Sequence, residues 1–153
     1  MTRWHRSRQD LDPEKTVWAC GRDLRISWKF AVEVCRAIKG LTLREAMKYM
    51  EDVIKLKRLV PIRTYKKKVA HHAGIEGWPV ARWPRKVAKA VLDVLKNLEN
   101  NARVKGMDPE RLVIVHAAAM KGTRIVKYIP RAFGRSTPFF QQLVHIEIAA
   151  QER

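Results

Sequence analysis

Acidic residues are scarce in this chain: 15 Asp and Glu stand against 32 Lys and Arg, leaving a formal charge of +17 over 153 residues. Such an excess does nothing for stability, because like charges repel across a folded surface, so it implies a polyanionic partner. Nucleic acid comes before a membrane here. The longest apolar runs are a handful of residues, far short of the ~20 that a spanning helix requires. Met1 to Arg6 lacks the apolar stretch of a secretory signal. Cysteine is equally sparse. Cys20 and Cys35 make no disulfide framework and suit a reducing cytoplasm.

Catalytic and metal-binding signatures are missing too. There is no Cys-x-x-Cys, and the adjacent His71 and His72 would need further ligands at suitable spacing, so no metal site is expected. No glycine-rich phosphate loop or nucleotide fingerprint occurs, so no cofactor is expected. His116 and His145 could share a sheet, with Glu147 as the one carboxylate nearby. We read them as sheet-surface or RNA-facing residues and expect no catalytic residue. What is present is enough apolar material for a core, 46% of the chain, in one domain of ordinary size spanning residues 1–153.

Residues 1–14 read as a flexible basic tail, carrying Arg3, Arg6 and Arg8. Thr16 to Cys20 fits a short strand. From Ser27, a good N-cap, Phe30, Val34 and Ile38 fall on one helical stripe that Gly40 closes. Thr42-Leu43-Arg44-Glu45 is a capping box opening a second helix. Residues 61–83 have no steady period and read as a long basic loop. Arg63, Lys66, Lys67, Lys68, Arg82, Arg85 and Lys86 crowd this region, and Glu76 is the sole acid between Asp52 and Asp93. Tyr65, Trp78 and Trp83 are interleaved with the cations, a mixture suited to irregular RNA. Trp78 and Trp83 equally suit a structural cover over the next helix. Pro84 fits the first turn of that helix, which runs to Gly106. The β-branched run Leu112–Val115 reads as a central strand. Val144, Ile146 and Ile148 alternate with His145, Glu147 and Ala149, a strand with one buried face.

Length separates two views of residues 111–150. An extended arm of about twenty residues reaches roughly 60 Å at ~3.3 Å per residue. A compact domain of this size is roughly 40 Å across. The hairpin therefore projects, unless the chain folds back at Lys121-Gly122. No Asp or Glu occurs between Glu110 and Glu147, whereas Arg111, Lys121, Arg124, Lys127, Arg131 and Arg135 all do. Phosphates can hold such an arm, each cation displacing condensed counterions. Its tip places Phe133 beside Gly134, a ring able to stack on an unpaired base.

Several of these segments resemble a known family. Arg22-Asp23-Leu24-Arg25-Ile26-Ser27, the helix ending Ile38-Lys39-Gly40, and Leu43-Arg44-Glu45-Ala46 are similar to the opening of the universal large-subunit ribosomal protein twenty-two family. Arg131-Ala132-Phe133-Gly134-Arg135, followed by His145-Ile146-Glu147-Ile148, resembles its hairpin tip and return strand. The 61–83 segment ending Gly77-Trp78 looks like the insertion of archaeal and eukaryotic members. The chain departs from the common pattern at Trp28 and Phe30, where many members carry proline and a basic residue. The resemblance implies an α+β fold, three helices packed on a small three-stranded antiparallel sheet with a long protruding β-hairpin. It implies binding to large-subunit ribosomal RNA, contact with neighbouring ribosomal proteins, and a tip (Arg131, Ala132, Phe133, Gly134, Arg135) lining the tunnel where nascent peptide leaves. The RNA-binding cations expected are Arg22, Arg25 and Lys29, the loop and third-helix cations named above, and Lys121, Arg124, Lys127, Arg131 and Arg135. No membrane segment and no homo-oligomer are expected. An architectural DNA-binding protein with a β-ribbon arm is the alternative.

Overall fold

A computed structural model describes residues 6–75 and 77–153; the first five residues of the expected tail, and Glu76, lie outside the described residues. Strand β1 (Thr16–Leu24) is followed by helices α1 (Trp28–Ile38) and α2 (Leu43–Ile54). Two-residue strands β2 (Val60–Pro61) and β3 (Ala81–Arg82) precede the long helix α3 (Arg85–Val104). A 3₁₀ turn at Pro109–Arg111 leads into β4 (Leu112–Ile125), β5 (Tyr128–Pro130), β6 (Ser136–Pro138) and β7 (Gln141–Glu152).

The helices begin and end for local reasons. Thr42 Oγ1 accepts the Glu45 backbone N–H while the Glu45 carboxylate accepts that of Thr42, so the capping box satisfies two amides that lack helical partners. Gly40, at φ +90°, closes α1. Pro84 stands one residue before α3 rather than inside its first turn.

Apolar stripes of all three helices meet one face of a three-stranded antiparallel sheet in the order β1-β7-β4. The α1 stripe of Ala31, Val34, Cys35 and Ile38 is fully buried, and so is the α3 stripe of Val87, Val91, Leu95 and Leu98. Helix α3 lies against β1 and β7, α1 against β4, and α2 against α3. The strand expected to be central, beginning at Leu112, is an edge; β7 is paired on both sides. The misreading has a physical cause. Glu147 looks like a solvent-facing residue in an alternating strand, yet it is 1% exposed.

Glu147 is covered by the segment expected to be a loose tail. The Ser7 backbone N–H donates to its carboxylate at 3.2 Å, and Ser7 Oγ donates at 2.9 Å. That hydroxyl also lies 2.8 Å from His116 Nε2. Farther along, Lys105 Nζ donates to the carbonyls of Pro13 and Thr16, at 2.8 and 2.9 Å. The described part of the tail is thus pinned at both ends. A second buried acid, Glu33, does the same for the 61–83 segment: it accepts the Thr64 N–H at 2.7 Å and an Arg36 N–H at 3.3 Å. At the ends of that segment β2 and β3 pair, and His71 bridges Val80, so the long loop is closed at its base by short pairings.

Burial pushes the His116 imidazole below the ordinary value of 6.5, outweighing the opposing pull of Glu147. A histidine held neutral in the fold takes up its proton more readily when unfolded. Its contribution is therefore complete above about pH 6.5 and is lost as pH falls through the folded value. Between about pH 7.5 and about pH 5, the melting temperature of the wild type should fall more than that of His116→Gln. Equal losses would show that His116 is not coupled to folding.

Candidate nucleic-acid interface

Strand β4 does not turn back at Lys121-Gly122. It runs on, paired with β7, from Leu112↔Glu152 to Ile125↔Gln141, with register shifts between Ile114 and His116 and between Lys121 and Arg124. Beyond it β5 pairs with β6, and the Phe139 N–H donates to the Lys127 carbonyl at 2.7 Å between the two ladders. At the end, the Arg131 N–H donates to the Arg135 carbonyl and the Arg135 N–H to that of Ala132. Phe133 and Gly134 both have left-handed backbone, φ +56° and +66°. Two positive φ values in succession mark the primed turns whose twist fits a two-stranded ribbon.

Residues 126–140 are exposed without exception, and Phe133 is 96% exposed. Aromatic side chains on this arm form contacts that the basic-residue pattern did not reveal. Tyr128 and Phe140 meet edge to face at 6.0 Å, and the Arg124 guanidinium lies 4.7 Å from the Phe140 ring centroid. Phe139-Phe140, directly after Pro138, was the available signal: large apolar side chains in a segment too far from the core to be buried.

At the arm's root, a mixed cluster joins three parts of the chain. Lys121 Nζ sits 4.4 Å over the Trp28 ring, Trp28 meets Tyr65 edge to face at 5.1 Å, and Lys29 Nζ lies 5.0 Å over Tyr65. Nearby in sequence, Arg63 and Lys66 both lie over Trp78, whose indole N–H donates to the Ile62 carbonyl at 3.0 Å. Trp83 meets His72 at 4.9 Å. These rings orient cations as well as cover the body. Tyr65 and Lys68 hold left-handed backbone at φ +50° and +58°, a cost concentrated in the basic segment.

Every cation expected at the interface is exposed: Arg22, Arg25, Lys29, Arg63, Lys66, Lys67, Lys68, Arg82, Arg85, Lys86, Lys121, Arg124, Lys127, Arg131 and Arg135. The structure brings Lys29 and Lys121 together around Trp28 and Tyr65, and Arg63 and Lys66 around Trp78. The last four of the series are strung along the arm. Ion pairs among the described residues engage Arg8, Arg36, Arg44, Lys55, Arg103 and Arg111. Helices α1 and α3 have no acid in the first turn, and neither has a side-chain N-cap hydrogen bond. Lys29, Arg85 and Lys86 instead put positive charge at the positive ends of two helix dipoles, an arrangement that an external anion relieves. Among the described residues, no helix is long and apolar enough to cross a membrane.

The model of the family described as ribosomal protein L22p/L17e matches residues 19–151. The chain belongs to this family. A relative named large ribosomal subunit protein uL22, from Pyrobaculum calidifontis, is 58% identical over 93% of this chain and 78% of its own length. One of the same name from Archaeoglobus fulgidus is 52% identical over 100% of this chain and 99% of its own. That from Methanocaldococcus jannaschii is 48% identical over 93% and 91%. L22p/L17e proteins are structural ribosomal proteins and not enzymes. The Archaeoglobus fulgidus and Methanocaldococcus jannaschii relatives are matched over nearly their whole length.

The hairpin also contains a close approach that explains a glycine. A Cβ on Gly122 would stand 2.6 Å from His145 Nε2. That ring cannot swing freely, because its Nδ1 accepts the Asp23 N–H at 3.0 Å. Gly122→Ala should therefore destabilise the protein by about 1–3 kcal/mol through overpacking, read as a lowered melting temperature. The double variant Gly122→Ala/His145→Ala should regain part of the loss. Strict additivity of the two changes would remove the steric explanation.

Proposed function

We propose that the chain is a structural constituent of the large ribosomal subunit in the cytoplasm. It acts as a single domain that binds large-subunit ribosomal RNA. The observation that carries this reading is the arm at 126–140: exposed at every residue, free of acids and studded with Lys127, Arg131 and Arg135. Packed RNA helices bring phosphates close together, and their repulsion needs cations delivered between them. A two-stranded ribbon suits that task. Its backbone hydrogen bonds are internal to the pair, while side chains on both faces remain available to RNA.

The body would contact RNA through Arg22, Arg25, Lys29, Arg63, Lys66, Lys67, Lys68, Arg82, Arg85 and Lys86, and the ribbon through Lys121 and Arg124 outward. The tip from Arg131 to Arg135 would line the tunnel used by nascent peptide, with Phe133 presented by its left-handed turn. Neighbouring ribosomal proteins would complete the surroundings of a chain that acts as one copy. The exposed aromatics of the arm favour irregular RNA over a duplex groove, since rings stack on unpaired bases. The names of the archaeal relatives support the same compartment and partner.

Binding of a large-subunit ribosomal RNA fragment, measured across salt concentrations, tests the proposal. Replacing Lys121, Arg124, Lys127, Arg131 and Arg135 together by Gln should lower the melting temperature only slightly, because all are exposed and only the ring contacts of Lys121 and Arg124 are lost. Affinity should drop by at least about tenfold, and the slope of log K against log salt should shrink by roughly 3–4. The wild type should also outlast a high-salt wash on large subunits and ignore competing duplex DNA. A salt slope that survives the substitutions, or equal competition by duplex DNA, would overturn the reading.

A further inference from the structure

A cleft of about 800 Å³ lies between the exit of α1, the turn after α2 and the chain around β2. None of the contacts described above accounts for it. Arg36, Lys57, Arg58 and Arg63 line it and are exposed, while Ala37, Leu59 and Pro61 supply half-buried apolar wall. The neighbouring hollow is bordered by Glu33, Arg36 and Arg63. Its one carboxylate is already engaged by the Thr64 N–H and Arg36. The cleft therefore combines a strongly positive rim with an apolar interior.

The walls are set in advance. The Lys57 and Arg58 amides both donate to the Asp52 carbonyl, at 2.8 and 3.3 Å, through a turn with Leu56 at φ +62°. Tyr49 Oη donates to the Leu59 carbonyl at 2.9 Å. The Arg58 guanidinium then lies 4.2 Å from the Tyr49 ring centroid, leaving its other face for a second flat group. Trp83 lines the same space.

These features select a ligand class. Inorganic phosphate would use the cations but neither the apolar wall nor the volume, which falls within the ~300–1,000 Å³ of small-molecule sites. A neutral apolar ligand would leave the charges of Lys57, Arg58 and Arg63 without an anion. A nucleotide uses both, with its phosphate on the rim and its base stacked on Arg58 or Trp83. We propose that this cleft takes a single unpaired nucleotide extruded from a bound RNA strand. The inference rests on the RNA-binding reading above. A strand is favoured over a free nucleotide by Arg63, which lines the cleft and also lies with Lys66 over Trp78, so that the adjoining backbone continues directly onto Lys66–Lys68.

Photocrosslinking tests it. The full chain is irradiated with single-stranded oligouridylate carrying 4-thiouridine, and crosslinked peptides are mapped. Crosslinks are expected in residues 57–63 and at Trp83, besides those on the arm. Ala37→Phe, which fills the cleft without removing charge, should lower the cleft crosslinks roughly tenfold, the worth of one stacked base, and spare the others. If that variant fails to melt cooperatively, Arg58→Gln at an exposed position should give the same selective loss. Crosslinks confined to the arm and Lys66–Lys68 would overturn the cleft proposal and leave RNA binding intact. Absence of crosslinks anywhere would overturn both. Uridine monophosphate competing as well as the oligonucleotide would make this a free-nucleotide site, contrary to the proposal.

Discussion

An arm whose charges all have one sign cannot be stabilised from within. From Arg111 to Ile146 the chain holds no carboxylate, so every cation on the ribbon raises the potential felt by the next. Water and mobile counterions screen that repulsion over roughly 10 Å at ordinary salt, without supplying the specific contacts a fixed shape requires. Ordered anions do both. The fold's other features follow from the need to hold such an arm at one end while leaving the rest uncovered.

Holding it falls to β7. This strand is the middle of the sheet, and the same strand continues outward as one side of the ribbon, so the arm is an extension of the core rather than an appendage. Two buried acids then gather the remaining periphery. Glu147 collects the N-terminal segment through Ser7, and Glu33 collects the 61–83 segment through Thr64. In a protein with so few carboxylates, these two are placed where they replace water for N–H and O–H groups. A buried carboxylate is costly unless its lone pairs are filled, and here N–H and O–H donors fill them.

Much of this was legible beforehand, for identifiable reasons. Helical stripes and the Thr42–Glu45 capping box are local signals, so α1, α2 and α3 could be read from spacing alone. The ribbon's projection could be read from length. The order of strands could not. Leu112–Val115 is uniformly apolar because β4 begins against α1 and the core, not because it has a neighbour on each side. Conversely Glu147 made a doubly paired strand look half-solvated, since the residue that covers it, Ser7, is distant in sequence. Glu33 was invisible for the same reason: its partner Thr64 lies in a segment without periodicity. The cations expected to bind RNA lie at the surface, yet the rings of Trp28, Tyr65 and Phe140 that contact several of them were not linked to those cations by any sequence spacing. Cation–ring geometry depends on which elements fold together, and no spacing rule encodes it.

The same geometry bears on how the free protein could meet RNA. Lys121 over Trp28 and Arg124 over Phe140 hold two cations against flat faces along the root and middle of the ribbon. A lysine or arginine so placed keeps its charge exposed while losing part of the rotamer freedom that would otherwise oppose phosphate binding. The outermost cations, Arg131 and Arg135, flank a turn fixed only by backbone hydrogen bonds and have the most freedom left to lose. Ordering cost therefore rises from root to tip. On the proposed RNA-binding reading, contacts near the body would form at the least entropic expense, and docking that began there would bring each later cation within reach of the next phosphate, a progressive insertion rather than a single capture event.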